Sequence, residues 1–225
     1  MISVILLMAG KGSRMNKDIN KILLDLNNKP IYKYSLDLFL KYDFEVIAVV
    51  AKDEYDELKL MLPSNVKVAI GGNTRQQSVF NGLKLCSGNY VIIHDAARPL
   101  LSKRVVDDIL KLQNENRAIL VGELEKNTIK QKKNNTFVTL PRNNLVRAMT
   151  PQCAPLSILK MAHELALTDQ FEGTDDLSLI EKYCKNLSVD FIISNEENFK
   201  ITTPLDFELA KLIVKDFIRK EKNNL

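Results

Sequence analysis

The stretch 2–21 joins an apolar run to glycines and cations, which are the residue types that bind phosphate groups. The apolar first half is typical of a strand that is buried on both faces of a parallel sheet. Gly10 and Gly12 let the backbone turn tightly and approach a ligand closely, and the cations Arg14 and Lys21 follow them. This arrangement predicts either a polyphosphate site at the carboxyl end of the first strand or a plain turn with two solvated cations.

Two familiar phosphate-binding loops do not match this stretch. The dinucleotide fingerprint needs a third glycine where this chain has Met15. The P-loop needs Ser or Thr directly after its Gly-Lys pair, whereas Gly12 follows Lys11 here. A phosphate loop of another type is required, and the rest of the chain has to identify it.

A second polar segment, GGNTRQQSV at 71–79, follows the third predicted strand. Its glycines lead into hydroxyl and amide side chains, which could hold a sugar or a base at the start of a helix. The alternative is a glycine turn followed by a helix N-cap at Thr74 or Asn73.

A third polar segment, HDAARP at 94–99, follows the fourth predicted strand. Asp95 at a strand end suits a position near a metal–phosphate group or a ribose, and Arg98 could clamp a phosphate with two hydrogen bonds. The alternative is a structural ion pair between these two residues. His94 is predicted to be a packed histidine at the strand end rather than a base.

Strand-like and helix-like segments alternate along the chain. The predicted strands are 3–8, 46–50, 66–70, 90–94, 118–124 and 189–194, and the predicted helices are 31–40, 54–62, 76–85, 103–113, 157–167, 176–183 and 204–219. This rhythm predicts an α/β fold of three layers, with helices on both faces of a mostly parallel sheet. Ligands bind at the carboxyl ends of strands in such sheets, so the loops after residues 8, 70 and 94 should share one site.

The rhythm breaks at 125–149. A polar tip at 130–135 lies between the segments 127–129 and 136–140, which predicts a β-hairpin that projects from the body.

Composition limits the class of protein. A length of 225 residues suits one α/β domain, and a net charge of +4 is too small to indicate nucleic-acid binding. No apolar run approaches the ~20 residues of a membrane span, and residues 2–8 are too short for a secretory signal, so we expect a cytoplasmic protein without membrane contacts. Cys86, Cys153 and Cys184 are spaced neither as a disulfide framework nor as a zinc site.

A set of short motifs occurs in one order along nearly the whole chain. The motifs are AGKGSRM at 9–15, NK at 20–21, GGNTRQQSV at 71–79, HDAARP at 94–99, TPQ at 150–152, GTDD at 173–176 and NFKITTPLD at 198–206. Each one alone also fits capping or solvation. Together they resemble the 2-C-methyl-D-erythritol 4-phosphate cytidylyltransferase family, whose members join CTP to a polyol phosphate.

The resemblance implies a Rossmann-like nucleotidyltransferase fold with Mg²⁺ as cofactor, and CTP and 2-C-methyl-D-erythritol 4-phosphate as substrates. It also implies one domain over residues 1–225 and a homodimer. An arm at about 126–148 would cross into the partner subunit. Nucleic acid is not among the implied partners.

The resemblance also implies roles at the matching positions. The catalytic residues would be Arg14 and Lys21 at the α-phosphate, and Arg142 and Lys200 at the substrate phosphate. Residues that hold CTP would be Ala9, Gly10, Lys11, Gly12, Gly72, Ser78 and Ala96, and residues on the polyol side would be Asp95, Arg98, Thr128, Thr150 and Thr174. Thr128 and Arg142 would serve the neighbour's site. Mg²⁺ would bind mainly through the CTP phosphates, with Asp95 as the one candidate protein ligand.

The chain departs from the family pattern beside one implied catalytic residue. The family more often shows Pro-Lys-Gln where this chain has Asn20, Lys21 and Ile22. The lysine is kept, so its implied role is kept as well.

Two other functions remain open at this point. Ribitol-5-phosphate cytidylyltransferases resemble the chain, but they tend to carry Ser-Val at Ala96 and Ala97 and to lack a second aspartate at Asp176. Both differences favour methylerythritol phosphate. A non-catalytic nucleotide-binding module is the other candidate, and the joint presence of cations such as Lys21 and Lys200 argues against it.

Overall fold

A mostly parallel sheet forms the centre of the computed structural model, which describes residues 1–10 and 20–223. The described strands are β1 (Ile2–Leu7), β2 (Glu45–Val50), β3 (Lys67–Ile70), β4 (Tyr90–Asp95), β5 (Arg117–Leu124), β6 (Lys130–Lys133), β7 (Thr136–Thr139), β8 (Val146–Pro155) and β9 (Ser188–Ile193). The central sheet has the order β3-β2-β1-β4-β8-β5-β9. Its neighbours run parallel except at β8, which is antiparallel to β4 and β5.

Helices cover both faces of this sheet. They are α1 (Ile31–Phe39), α2 (Tyr55–Met61), α3 (Arg75–Leu83), α4 (Lys103–Leu112), α5 (Leu156–Thr168), α6 (Asp176–Tyr183) and α7 (Pro204–Asn223). Along β1, Val4 and Leu6 pack towards α1, α2 and α4, whereas Ile5 packs towards α3, α5 and α6. This alternation produces the two hydrophobic cores of a three-layer α/β fold and confirms the predicted fold class.

One strand of the sheet was not predicted. Residues 125–149 were predicted as a hairpin alone, but the chain returns from it as β8, whose second half is buried between β4 and β5. Pro151 and Pro155 lower the strand propensity of this segment. The sheet accommodates Pro151 because the β5–β8 register shifts between Leu120 and Gly122, so that residues 149–151 lie in a bulge.

The predicted hairpin is present as β6 and β7, which pair only with each other among the described strands. It leaves the sheet between β5 and β8, at the edge where the parallel strands end. Its side chains are exposed. Within the described ranges, no helix is long and apolar enough to span a membrane.

His163 lies in the core between α5 and α3 and is 2% exposed. Its ring stacks on Phe80 at 5.7 Å, and its Nε2 has no hydrogen-bond partner in the described part of the chain. Burial, assisted by the charge of Arg75, lowers the pKa of His163 to about 4. The folded protein therefore holds this imidazole neutral.

This burial predicts a loss of stability on acidification. Between pH 6.5 and about 4 the unfolded chain binds the proton and the folded chain does not, so the free energy of unfolding falls as the pH falls. From pH 7 to pH 5 the loss at His163 should be about 2 kcal/mol. His163→Leu should remove that share, as measured by urea unfolding at both pH values. Glu164→Gln, on the exposed side of the same helix, should lose as much as the wild type; an equal loss in His163→Leu would contradict the assignment.

Candidate active site

The described residues line a cavity of about 580 Å³ at the carboxyl ends of β1 and β4. A cavity of this size suits a small-molecule ligand. Its lining includes seven of the residues that were predicted to bind substrate or catalyse the reaction, Ala9, Gly10, Lys21, Gly72, Ser78, Asp95 and Lys200. It also includes Leu7, Ile22, Asn73, Thr74, Arg75, Ala97 and Thr202. The loops after β1, β3 and β4 therefore meet at one site, as their positions in the sequence predicted.

The loop between β3 and α3 is held against β1. Thr74 is the N-cap of α3 and accepts a hydrogen bond from the Gln77 amide at 3.2 Å, which confirms the predicted N-cap. Ser78 Oγ accepts from the Gly72 amide at 3.1 Å and thereby closes the loop over the first turn of the helix. A Cβ at Gly71 would lie 2.8 Å from the Cβ of Ala9, so only glycine permits this close approach.

A cluster of charges surrounds Asp95 at the end of β4. Lys200 Nζ lies 2.9 Å from Oδ2, Arg75 Nε lies 3.4 Å from Oδ1, and Arg98 Nε lies 3.8 Å from Oδ2. Burial alone would raise the pKa of Asp95, but these cations outweigh it and hold the pKa well below its usual range. The carboxylate is therefore ionised at neutral pH. The predicted Asp95–Arg98 ion pair is present, and Asp95 also lines the cavity.

Arg75 is a site residue that the sequence reasoning missed. It donates to both carboxylate oxygens of Asp176, with distances of 2.9 and 2.7 Å, and it also contacts Asp95. Asp176 is the first residue of α6 and is 2% exposed. The sequence did contain a signal for this pair. Arg75 lies in the motif GGNTRQQSV and Asp176 in the motif GTDD, and a buried carboxylate needs a cation beside it.

The unpredicted strand β8 forms hydrogen bonds to the backbone of two elements of the site, the end of β4 and the start of α6. Gln152 Oε1 accepts from the amides of Asp176 and Leu177 at 2.9 and 3.1 Å, which satisfies the first turn of α6. Thr150 Oγ1 accepts from the Asp95 amide at 3.1 Å. Thr150 is buried and does not line the cavity, so its contact is with the backbone of the site.

The structure does not place every predicted site residue in the cavity lining. Lys11, Gly12 and Arg14 fall outside the described residues. Thr128 and Arg142 are exposed in the arm and do not line the cavity of their own chain. Ala96 and Arg98 are packed beside the lining residues Asp95 and Ala97, and Thr174 is exposed just before α6.

Among the described residues, the cavity offers few side chains that could bind a metal ion. In residues 1–10 and 20–223, no group of three or more His, Cys, Asp or Glu side chains could hold one. Asp95 is the only carboxylate among the described residues that line the cavity, and it is already surrounded by cations. A divalent cation here would need ligands from a bound phosphate, which is the usual arrangement for Mg²⁺.

Comparison with known proteins identifies the family. A model of the 2-C-methyl-D-erythritol 4-phosphate cytidylyltransferase family matches residues 2–216. The chain belongs to this family. Two relatives carry the same name. The Clostridioides difficile (strain 630) protein is 36% identical in an alignment that covers 100% of this chain and 98% of that protein. The Clostridium tetani protein is 36% identical in an alignment that covers 98% of this chain and 93% of that protein.

Solved structures of cytidylyltransferases have the same fold. The 4-diphosphocytidyl-2C-methyl-D-erythritol synthase of Anaerococcus prevotii superposes with a TM-score of 0.84 at 25% identity, over 95% of this chain and 96% of that chain. The 2-C-methyl-D-erythritol 4-phosphate cytidylyltransferase of Francisella tularensis superposes with a TM-score of 0.78 at 28% identity, over 94% and 98%. The family predicted from the motifs is therefore confirmed, and with it the nucleotidyltransferase fold.

Proposed function

We propose that the protein transfers the cytidylyl group of CTP to 2-C-methyl-D-erythritol 4-phosphate, which gives CDP-methylerythritol and pyrophosphate for non-mevalonate isoprenoid precursor synthesis. The family match over residues 2–216 carries this proposal. The cavity supports it, because residues from motifs far apart in the sequence line one space of nucleotide size.

The nucleophile is the phosphate of the substrate, which attacks the α-phosphorus of CTP and expels pyrophosphate. A phosphate monoester has a second pKa near ~6, so it is mostly dianionic at neutral pH and needs no general base. The burial of His94 agrees with a reaction that needs no general base. Its side chain is fully buried, and burial lowers its pKa to about 4. The task of the protein is therefore electrostatic: it brings two anions together and stabilises the charge on the α-phosphate.

The cations of the site are suited to this task. Lys21 lines the cavity while only 8% exposed, and we assign it to the α-phosphate together with Arg14. Lys200 lines the cavity beside Asp95, and we assign it to the substrate phosphate together with Arg142 of the partner subunit. A phosphate that binds near Lys200 competes with Asp95 for its ammonium group.

The remaining assignments come from the family motifs, and only some of these residues line the cavity. We assign CTP binding to the glycine loop after β1 and to Gly72, Ser78 and Ala96, and the polyol side to Asp95, Arg98, Thr150 and Thr174 with Thr128 of the partner subunit. Mg²⁺, held mainly by the triphosphate, would neutralise phosphate charge, and Asp95 is the only carboxylate among the described residues that line the cavity.

The test is pyrophosphate release from CTP and Mg²⁺, with methylerythritol 4-phosphate and ribitol 5-phosphate offered in parallel. We expect turnover with the first. Turnover with ribitol 5-phosphate alone would move the protein to teichoic-acid precursor synthesis, and release with neither would favour a non-catalytic nucleotide-binding module.

We further propose a homodimer of single-domain chains that is formed through the arm at about 126–148. The arm side chains are exposed, and Thr128 and Arg142 lie away from the cavity of their own chain. An apolar patch adjoins the base of the arm on the edge of the sheet. By register it places Leu124, Val146, Val189, Phe191 and Ile193 on one face, with exposed fractions from 36% to 54%. Exposed apolar side chains gathered on one face of a sheet edge are typical of a protein–protein interface.

A charge in this patch should break the dimer. Phe191→Lys places two lysines in an interface with two-fold symmetry, and we expect it to weaken dimerisation by roughly 3 kcal/mol or more. Light scattering after size-exclusion chromatography should show a monomer, and turnover should fall because Arg142 no longer reaches the neighbour's site. Leu60→Lys, at a residue of α2 that is 89% exposed, is the matched control and should remain dimeric. A dimeric, fully active Phe191→Lys protein would exclude this interface.

A further inference from the structure

Lys21 is the first residue of a short 3₁₀ turn, Lys21–Leu23. The structure describes the loop after β1 as far as Gly10 and resumes at Asn20, directly before this turn. Ile22, the second residue of this turn, is packed in the core with only 2% exposed. That packing holds the turn against the body. Further contacts at the turn come from its N-cap Asn20, whose side chain is also buried, with 6% exposed.

Asn20 uses both ends of its side-chain amide. Its Oδ1 accepts a hydrogen bond from the Ile22 amide at 3.3 Å, which caps the turn. Its Nδ2 donates to the Met8 carbonyl at 3.2 Å and to Glu54 Oε2 at 2.8 Å. The bond to Glu54 has a carboxylate acceptor, and such bonds are stronger than neutral ones.

These partners lie just after neighbouring strands. Met8 directly follows β1, and Glu54 ends the 3₁₀ turn Lys52–Glu54 that follows β2. β1 and β2 are adjacent and parallel, so both partners follow strands of the same sheet. Asn20 therefore joins the Lys21 turn to two points of the sheet at the edge where the cavity opens.

We propose that Asn20, through its hydrogen bonds to Met8 and Glu54, is a positioning residue that sets the direction of Lys21 into the cavity. The proposal rests on the function proposed above, in which Lys21 stabilises the charge on the α-phosphate. Asn20 itself does not line the cavity. Its effect should therefore appear in the chemical step and not in the binding of CTP.

Asn20→Asp is the sharpest variant, because it keeps the size of the side chain and the acceptor for Ile22 but loses both donor bonds and repels Glu54. A displacement of about 1 Å in a catalytic group can cost up to ~10² in rate. We expect kcat to fall about 10- to 100-fold while the KM for CTP changes less than about threefold.

Glu54→Gln provides both a control and a rescue. Alone it keeps an acceptor for the Asn20 amide, so we expect kcat within about twofold of the wild type. In the double variant Asn20→Asp/Glu54→Gln, the glutamine amide can donate to the new carboxylate and restore the bond in the opposite direction. We expect part of the lost kcat to return. If Asn20 had a purely structural role, these variants would differ in melting temperature. Their kcat values would then not fall in Asn20→Asp, stay normal in Glu54→Gln and recover in the double variant.

Asn20→Asp introduced into the Lys21→Ala variant tests the positioning role of Asn20 separately from the proposed role of Lys21. If Asn20 acts through Lys21, Asn20→Asp should cause no further loss once the lysine is gone. A full additional loss, or normal kcat in Asn20→Asp alone, would overturn the positioning role and leave the proposed function intact. Normal turnover in Lys21→Ala would instead overturn the assigned role of the lysine.

Discussion

Lys21→Ala is expected to lower kcat by roughly 10²–10³, because it removes a preorganised positive charge from the place where the transition state gains negative charge. Lys21 lines the cavity and is only 8% exposed, so water screens its charge weakly. The loss should appear in steady-state pyrophosphate release at saturating CTP and substrate.

Lys185→Ala is the matched control for this variant. It removes the same charge from an exposed position away from the cavity lining, and it should keep turnover within about twofold. Thermal unfolding of both variants tests whether the fold is intact. Near-normal turnover in Lys21→Ala would remove this residue from the mechanism.

Asp176→Ala is expected to lower the free energy of unfolding by about 3–5 kcal/mol, because it leaves the Arg75 guanidinium without its main partner in a partly buried position. Arg75 also contacts Asp95, so the loss of Asp176 should disturb the charge cluster of the cavity. Turnover should fall in the same variant. Urea unfolding and pyrophosphate release measure the two effects.

A double-mutant cycle distinguishes this ion pair from general packing loss. Asp176→Ala combined with Arg75→Ala should lose less stability than the sum of the single variants, because no unpaired charge remains. Glu181→Ala, on the exposed side of α6, should change stability by less than about 0.5 kcal/mol. Strict additivity in the cycle would show that the two charges do not depend on each other.

The sequence was sufficient for the fold class and the location of the site. Apolar strand-like runs that alternate with helical patterns predict a parallel sheet with helices on both faces, because each strand and each helix must bury its apolar side chains against the other layer. The carboxyl ends of parallel strands meet at one edge, so the polar segments after β1, β3 and β4 had to converge. The motif set identified the family, because its order and spacing extend over nearly the whole chain.

The tertiary structure decided the contacts that hold the site. β8 contains Pro151 and Pro155 and shows no strand periodicity, and it is a strand only because β4 and β5 provide partners on both sides. Arg75 meets Asp176, a residue about 100 positions away, and Asn20 meets Glu54 on the neighbouring strand's loop. Local pattern cannot predict such pairs, because propensity and periodicity act over one or two turns of chain, whereas the packing of distant elements brings these charges and amides together.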